Sequence, residues 1–313
     1  MVGPGNVNRW QVGVSGSLAG GQKDNITVVF GDQRFSNLPN IGASIVPNVN
    51  VAFNLGWIMG GGPSDNYPEY RTILHKFTVY LHGFSFNFAN QETQNLVQQR
   101  IKNLQLGGET TSGGFMVRYQ LFDNLSSGRW GAFEFSGVNI GMGVHYLRQT
   151  LNLNYADPTP LAITLGQGIS GTWRGTSNFN YSSSVTSIPL DIRTGVRFFY
   201  LFTVFAGVGT SVNIGNSSLA FTRSGPIDIN QSTGSSASVP ASALGISVSG
   251  LTGGGVNTSG LLGLNVRGTA RPQSSLGYVV GGLELNVLMI KVLAEAYVSG
   301  DIQSVQLGAK VAF

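Results

Sequence analysis

Three histidines are the side chains of this 313-residue chain best suited to acid–base or metal chemistry. His75, His82 and His145 stand in the segments TILHKF, YLHGF and GVHYLRQ. An imidazole supports hydrolysis when a neighbouring carboxylate or hydroxyl orients it, and zinc requires several converging ligands. None of the three segments matches a histidine motif of a hydrolytic enzyme, and no cluster of His, Asp and Glu has metal-ligand spacing. We therefore expect no enzymatic activity, no catalytic or metal-binding residues and no cofactor.

The sequence also gives little support for other catalytic groups or for nucleic-acid binding. The segment GVSGS misses the serine-hydrolase motif G-x-S-x-G by one position. The chain has no cysteine, which excludes disulfides and thiolate chemistry. Its net charge of +4 is dispersed, whereas binding to nucleic acid needs a basic stripe. We expect no nucleic-acid partner.

Six charged side chains stand at alternate positions of otherwise apolar segments. They are Asp191, Arg193, Arg197, Glu284, Glu295 and Lys310. Alternate residues of a strand point to the same face, so opposite charges on neighbouring strands can meet. Two interpretations stay open. The charges form pairs that fill the interior of a sheet, or they form a constriction that selects solutes by charge, as rings of side chains do in pores.

The segments that carry these charges have the period of two that is typical of β-strands. Leu190 and Ile192 lie on one parity, and Asp191 and Arg193 lie on the other. We predict about ten strands, with eight or twelve left open and the segment 25–35 as one further candidate. The ten predicted strands span 9–19, 43–58, 73–88, 113–122, 130–147, 177–199, 201–215, 274–287, 289–299 and 303–313.

Composition decides which environment the apolar faces meet. Only 10% of the residues are charged, against about 25% in ordinary soluble domains, and the face opposite the apolar one carries Gly, Asn and Ser. A membrane helix needs about 18 consecutive apolar residues, and no such stretch is present. The sequence therefore predicts an all-β fold, a closed antiparallel transmembrane β-barrel whose apolar face meets lipid and whose other face lines the lumen. We treat residues 1–313 as one domain.

The C-terminal strand carries a resemblance to a known class of protein. The segment VQLGAKVAF resembles the C-terminal signal strand of bacterial outer-membrane β-barrel proteins, and IPLDIRTGVRFFYLFTVFAGVG resembles the inner strands of small members of that class. The resemblance implies an integral location in the bacterial outer membrane and recognition by the barrel-assembly machinery. The implied assembly signal consists of Val305, Leu307, Ala309, Val311 and Phe313.

Three segments depart from the simple strand pattern. Residues 91–105 place Val97, Ile101 and Leu104 at helical spacing, which predicts a short amphipathic helix over the barrel mouth or within the lumen as a plug. Residues 223–273 are rich in Ser, Gly and Thr and predict a long surface loop. His82 and Gly83 mark a change of phase that indicates a β-bulge.

The functional expectation is a narrow pore for small solutes. The alternative is a surface-exposed structural or adhesive protein that acts through its long loops, and an enzyme of the outer membrane comes third. Membrane lipid is the expected partner, together with a small solute or a surface ligand. The start MVGPGNVNRW lacks the basic and apolar regions of a signal peptide, so we interpret the chain as a mature form. The oligomeric state stays open.

Overall fold

The computed structural model of the chain is one antiparallel sheet with short helical segments beside it. The helical segments include α1, Leu55–Met59, and a 3-10 turn at Ile73–Lys76. The structure describes residues 10–30, 33–59, 73–88, 95, 98–99, 101–122, 125–127, 132–157, 159–166, 169–199, 201–231, 246–252, 257–300 and 302–312.

Fifteen strands make up the sheet in this described part of the chain. They are β1 Trp10–Phe30, β2 Gln33–Asn54, β3 Phe77–Asn87, β4 Leu104–Phe122, β5 Leu125–Ser127, β6 Phe133–Ala156, β7 Leu161–Gly166, β8 Ile169–Trp173, β9 Thr176–Phe198, β10 Phe202–Gln231, β11 Ile246–Thr252, β12 Asn257–Ala270, β13 Ser275–Val287, β14 Ile290–Ser299 and β15 Ile302–Ala312.

Ten of these strands form a ring of antiparallel pairs. The order around the ring is β1, β2, β3, β4, β6, β9, β10, β13, β14 and β15. The ring closes because β15 pairs with β1, from Gln11 opposite Ala312 to Gly21 opposite Ile302. Closure leaves no free edge at the level of these pairs. The apolar C-terminal strand β15 is therefore paired on both sides, with β14 and with β1. All ten ring strands were predicted, in this order.

The outer face of the ring is an apolar band. Val14, Met142, Val208, Leu283 and Leu307 lie on different strands of the ring, and each side chain is more than half exposed. Exposure of this surface to water would be unfavourable, because each Å² of apolar surface that stays in water loses about 25 cal/mol of the free energy gained by burial. A strand needs about 9–11 residues to cross the hydrocarbon of a bilayer, which is close to the width of the band. The band is the lipid-facing surface of the barrel.

A bulge in β6 reverses the side-chain parity within the strand. The register between β6 and β9 shifts between Phe135 and Val138, where Gly137 has a positive φ of 73° that a glycine tolerates. The shift turns Glu134 from the apparent lipid-facing parity to the inner face, where its Oε2 lies 3.1 Å from Nη1 of Arg197. A charge that seemed to face lipid is therefore paired inside the barrel.

Two sequence predictions about local structure, a bulge and a helix, were wrong in whole or in part. The predicted bulge at His82 and Gly83 is absent, because β3 and β4 pair without interruption from Phe77 to Asn87. Within the predicted helix 91–105, Asn95, Gln98 and Gln99 are helical, but Leu104 begins β4, and Val97 lies outside the described residues.

The predicted loop 223–273 is largely sheet. Its start continues β10 as far as Gln231, and its later parts form β11 and β12. The backbone groups of a segment this long need partners, and pairing with β10 provides them. The candidate strand at 25–35 falls at the far end of the β1–β2 hairpin and adds no strand to the described ring.

Candidate functional site in the lumen and the projecting wall

The predicted lumen charges all lie on the inner face of the ring. Asp191, Glu284 and Glu295 are each about 1% exposed, and Arg193 is 3% exposed. Lys310 is also buried, and Arg197 pairs with Glu134 nearer the end of the barrel that carries the chain termini. The alternation of each strand turns these polar positions inward while their neighbours face lipid. We call the six predicted lumen charges, together with Arg118, Lys291 and Tyr297, the charged belt.

The centre of the charged belt is a network around two arginines. Arg118 donates from Nη2 to Oδ2 of Asp191 at 2.9 Å, and Arg193 donates from Nε to the same oxygen at 3.1 Å. Arg193 also reaches Glu295, with 3.0 Å between Nη1 and Oε1. The hydroxyl of Tyr297 accepts from Arg193 Nη2 at 3.1 Å and donates to Glu295 Oε2 at 2.6 Å. Each guanidinium is therefore held by more than one contact.

A second group of belt charges links three neighbouring strands. Lys310 Nζ lies 3.1 Å from Oε2 of Glu284, which joins β15 to β13 across β14. Lys291 lies on β14 directly opposite Lys310 in the strand register and is buried with it. Two lysines side by side repel each other, and the carboxylate of Glu284 offsets this repulsion.

Most charges of the belt are buried and lie in ion pairs. The cavity lined by Gln11, Tyr80 and Lys310 has a volume of about 10 Å³, which is room for about one water molecule. A ring of about ten strands has an interior narrow enough for side chains to fill. These distances and burials favour the interpretation of the charges as packing pairs over that of an open constriction.

Sequence reasoning omitted two members of the belt that carry charge. Arg118 shares the polar parity of β4, and Lys291 shares that of β14, but neither was grouped with the predicted lumen charges. The parity of both residues was readable in the sequence. Their partners were not, because Asp191 lies 73 residues after Arg118 and meets it only through the order of strands in the ring.

Beyond the apolar band the sheet continues on several strands, and we call five of these strand segments the projecting wall. The wall consists of β4 before Ser112, β6 after Tyr146, β9 before Thr186, β10 after Ile214, and β12. β10 changes neighbour here, since it pairs with β13 up to Val212 and with β12 from Ser217 onward. Ten further residues of a strand tilted at about 40° project roughly 25 Å beyond the band.

The faces of the projecting wall have the reverse polarity of the band. The outer face carries Asn, Ser and Thr, as in the register pairs Asn152–Asn180 and Asn154–Asn178. The inner face carries two adjacent apolar rows that cross all five strands. The rows are Leu106, Leu153, Phe179, Phe221 and Val266, and Gly108, Leu151, Tyr181, Leu219 and Gly268. This reversal is expected where a sheet passes from lipid into water, because the outer face must then be polar.

An ion pair braces the top of the projecting wall. Arg223 Nη2 lies 3.4 Å from Oδ2 of Asp157, its Nη1 donates to Ser177 Oγ at 3.1 Å, and its guanidinium stacks over Trp173 at 4.8 Å from the ring centre. The backbone N–H of Thr159 donates to Asp157, and this bond, with the nearby Arg223, holds the pKa of Asp157 below its usual range. The carboxylate therefore stays charged in mildly acidic conditions.

The predicted assembly signal lies on the outer face of β15. Val305, Leu307, Ala309 and Val311 are exposed on one parity, and Phe313 lies outside the described residues. The residues of the other parity turn inward, as the buried Lys310 illustrates. The strand therefore presents to lipid the apolar side that its sequence pattern predicts.

The three histidines occupy different places. His75 is buried beside Asn54, whose amide nitrogen donates to the backbone oxygen of His75 at 2.8 Å. His82 and His145 meet on the inner face above the belt, with 3.2 Å between their facing nitrogens. Across the described residues, no group of three or more His, Asp or Glu is arranged to hold a metal ion. No helix in the described part is long and apolar enough to cross a membrane.

Comparison with known proteins gives a family match over the full length. A family model described as Lsa36-like matches residues 1–313. A search of curated proteins gives no match. Among solved structures, the chain is similar to the translocator domain of the autotransporter NalP from Neisseria meningitidis, with 9% identity, a TM-score of 0.36, and coverage of 100% of this chain and 90% of that one.

Two further solved structures are similar at a lower level. A FadL homologue of Pseudomonas aeruginosa has 8% identity and a TM-score of 0.27, with 97% of this chain and 90% of that one covered. The toluene transporter TodX of P. putida has 9% identity, the same TM-score and the same coverage.

The architecture of the chain itself gives its location. An antiparallel ring of strands with an apolar exterior and a polar interior satisfies every backbone group within the hydrocarbon and is the form of bacterial outer-membrane proteins. The chain is an integral outer-membrane β-barrel in contact with membrane lipid.

Proposed function

The protein belongs to the Lsa36-like family, and we propose that it is a surface-exposed outer-membrane protein that acts through its projecting wall. The barrel anchors the wall in the membrane, and the wall carries the contact with a partner outside the cell. The role is non-enzymatic. The observation that carries the proposal is the wall, which continues for about ten residues per strand beyond the apolar band.

The orientation of the wall follows from the connections at the two ends of the barrel. The β9–β10 and β13–β14 connections are tight, with Phe199 and Leu288 in positive-φ turns, and Trp10 and Ala312, the first and last described residues, lie at that end. Short turns in these barrels face the periplasm, and longer segments face outward. The two tight turns, together with the long strands of the wall, support an orientation with the wall on the cell surface, although the β2–β3 connection at the end of the tight turns is long, residues 55–76.

The outer face of the wall offers a specific kind of contact. Asn152, Asn178 and Ser182 present amide and hydroxyl groups on a sheet face that carries few charges, among them Glu109 and Arg148. Such groups bind a partner through hydrogen bonds that are little affected by salt, unlike contacts between ions. The packed charged belt supports the same proposal, because a filled lumen conducts poorly.

A narrow pore for small solutes is the second candidate function. The observation that favours it is the polar lumen between the belt and the wall, where Ser187, Asn213 and Ser217 are half-buried on the inner face. A solute would reach the belt through this space. Passage would then require the belt side chains to separate, so a pore would open in steps and would depend on the belt charges.

Conductance distinguishes the two functions. The purified barrel is inserted into a planar bilayer, and current is recorded with the wild type and with Glu284→Gln. The proposed surface function predicts no steady current from either protein. Sustained wild-type channels whose ion selectivity changes in Glu284→Gln would overturn it in favour of the pore.

The surface function is tested directly by attachment of cells. Cells that express the wild type are compared, on plates coated with extracellular proteins, with cells whose wall is shortened by deleting 149–154 together with 178–183. The deletions remove six residues from each of two paired strands, so the register below them is kept. We expect normal membrane insertion with loss of attachment. Unchanged attachment would contradict a role for the wall.

Single cysteines test the orientation without interference, because the chain has no cysteine of its own. Ser182→Cys on the outer face of the wall should react with a membrane-impermeant maleimide on intact cells. Val208→Cys in the apolar band should stay unlabelled. Labelling of Ser182→Cys only after the outer membrane is permeabilised would reverse the orientation.

Assembly of the barrel involves β15 in this proposal. Its exposed apolar parity, from Val305 to Val311, supports recognition by the barrel-assembly machinery, and the pairing of β15 with β1 makes it the strand that closes the ring.

A further inference from the structure

Two histidines from different strands meet in the lumen above the charged belt. His82 is on β3 and His145 on β6, and β4 runs between them. Nδ1 of His145 lies 3.2 Å from Nε2 of His82, and the ring centres are 4.7 Å apart. Both side chains are partly exposed on the inner face, so ions in the lumen can reach them.

A glycine makes this meeting possible. Gly114 is the residue of β4 that pairs with His82 on one side and with His145 on the other. A Cβ atom at this position would clash with the backbone oxygen of Val144 and would lie 2.8 Å from Cε1 of His82 and 2.9 Å from Cα of His145. A side chain at 114 would therefore displace the backbone of β6 as well as the ring of His82, and its absence lets two non-adjacent strands share one contact.

The separation of the two nitrogens suits a shared metal ion. As a hydrogen bond, the contact needs one ring nitrogen to donate and the other to accept. Zinc binds imidazole nitrogen at about 2.0–2.1 Å, so two imidazoles at a tetrahedral angle place their nitrogens about 3.3 Å apart. The observed 3.2 Å is nearly that value. The distance between the two nitrogens therefore needs almost no change when a cation replaces the shared proton.

Oxygen donors flank the pair in the same inward row. Asn50 pairs with His82 from β2, and Ser187 pairs with His145 from β9. Imidazole favours Zn²⁺, Cu²⁺ and Ni²⁺, whereas Mg²⁺ and Ca²⁺ prefer oxygen ligands. Water in the lumen can complete the coordination of an ion held by two imidazoles.

We propose that His82 and His145 form a two-histidine site for a divalent transition-metal ion in the lumen. The bound ion links β3 to β6 across β4, just below the start of the projecting wall. The bound ion can exchange with ions in solution, because only two protein nitrogens hold it and water in the lumen supplies the other ligands.

The test uses the refolded full-length chain without a polyhistidine tag, titrated with Cu²⁺ and Zn²⁺. Wild-type protein should bind one ion, and the Cu²⁺ spectrum in electron paramagnetic resonance should carry coupling to two ring nitrogens. His82→Asn and His145→Asn should each weaken binding at least tenfold and remove the two-nitrogen signature. Mg²⁺ should not compete. Equal binding by wild type and His82→Asn would overturn the proposal.

Two glycine variants test whether metal binding depends on the contact between the two histidines or only on their presence. Gly114→Ala keeps both histidines but pushes them apart, and it should weaken Cu²⁺ binding at least tenfold. Gly83→Ala is the matched control on β3, because a Cβ there would meet only the backbone oxygen of Ser112 at 3.9 Å. It should bind like the wild type. Wild-type affinity in Gly114→Ala, with the barrel folded, would show that the shared contact is not the site.

Discussion

Replacing Glu295 by glutamine is expected to destabilise the barrel by about 3 kcal/mol, at the lower end of the range for breaking a buried ion pair. Glutamine keeps the shape of the side chain and one acceptor oxygen, so the change removes mainly charge. Glu295 Oε1 lies 3.0 Å from Arg193 Nη1, and both side chains are almost fully buried. At an effective dielectric constant of about 20 this attraction is about 5 kcal/mol. Asp191 stays beside Arg193 at 3.1 Å and limits the loss.

The assay is urea unfolding of the refolded protein in detergent micelles, followed by tryptophan fluorescence. Glu109→Gln is the matched control, because Glu109 lies on the wall and accepts a hydrogen bond from the Thr111 hydroxyl that glutamine can also accept. It should change the free energy of unfolding by less than about 0.5 kcal/mol. If Glu295→Gln changes it as little as the control, the belt charges do not hold the barrel together, and the packing interpretation fails.

Three further outcomes test other parts of the structure. Lysine at Val208, which faces lipid, should cost about 2–4 kcal/mol, whereas lysine at Ser218 on the same face of β10 should be tolerated; equal urea midpoints would mean that the band is misplaced. Aspartate at Val311 should reduce the yield of assembled barrel in cells far more than aspartate at Gln303, and equal heat-shifted bands on gels would argue against an assembly signal. Asp157→Asn should lower the melting temperature slightly at neutral pH but not in acid: the pKa of Asp157 is lowered on folding, so its stabilising charge is lost as pH falls through that value. A difference that grows in acid would contradict the brace.

The strands of the ring could be predicted because their signal is local. A period of two in side-chain character appears within a few residues and needs no knowledge of which strands are neighbours. The inward parity of Asp191 and Glu295 follows from the same pattern. The projecting wall was missed for a related reason. In β6 the apolar parity changes after Tyr146 to Leu147, Leu151 and Leu153, so a search for one constant apolar face ends there although the strand continues.

The contacts of the belt could not be predicted, since they depend on long-range order. Arg118 meets Asp191 only because β4, β6 and β9 are consecutive in the ring. The shift between Phe135 and Val138 reverses parity within one strand, and no residue pattern before it announces the change. The meeting of His82 with His145 depends on Gly114, whose role is visible only once three strands are in register.

Closure of the ring by its first and last strands sets the order of folding. β1 pairs with β2 through a connection of two residues, but its other neighbour, β15, is separated from it by almost the whole chain. A contact of such high contact order forms slowly, and its loop-closure entropy is compensated only after the intervening hairpins have formed. β1, which is synthesised before the other strands of the ring, is therefore the last to be paired on both sides. Until then the incomplete sheet has two unpaired edges, at β1 and β15, and both are open to pairing with other chains.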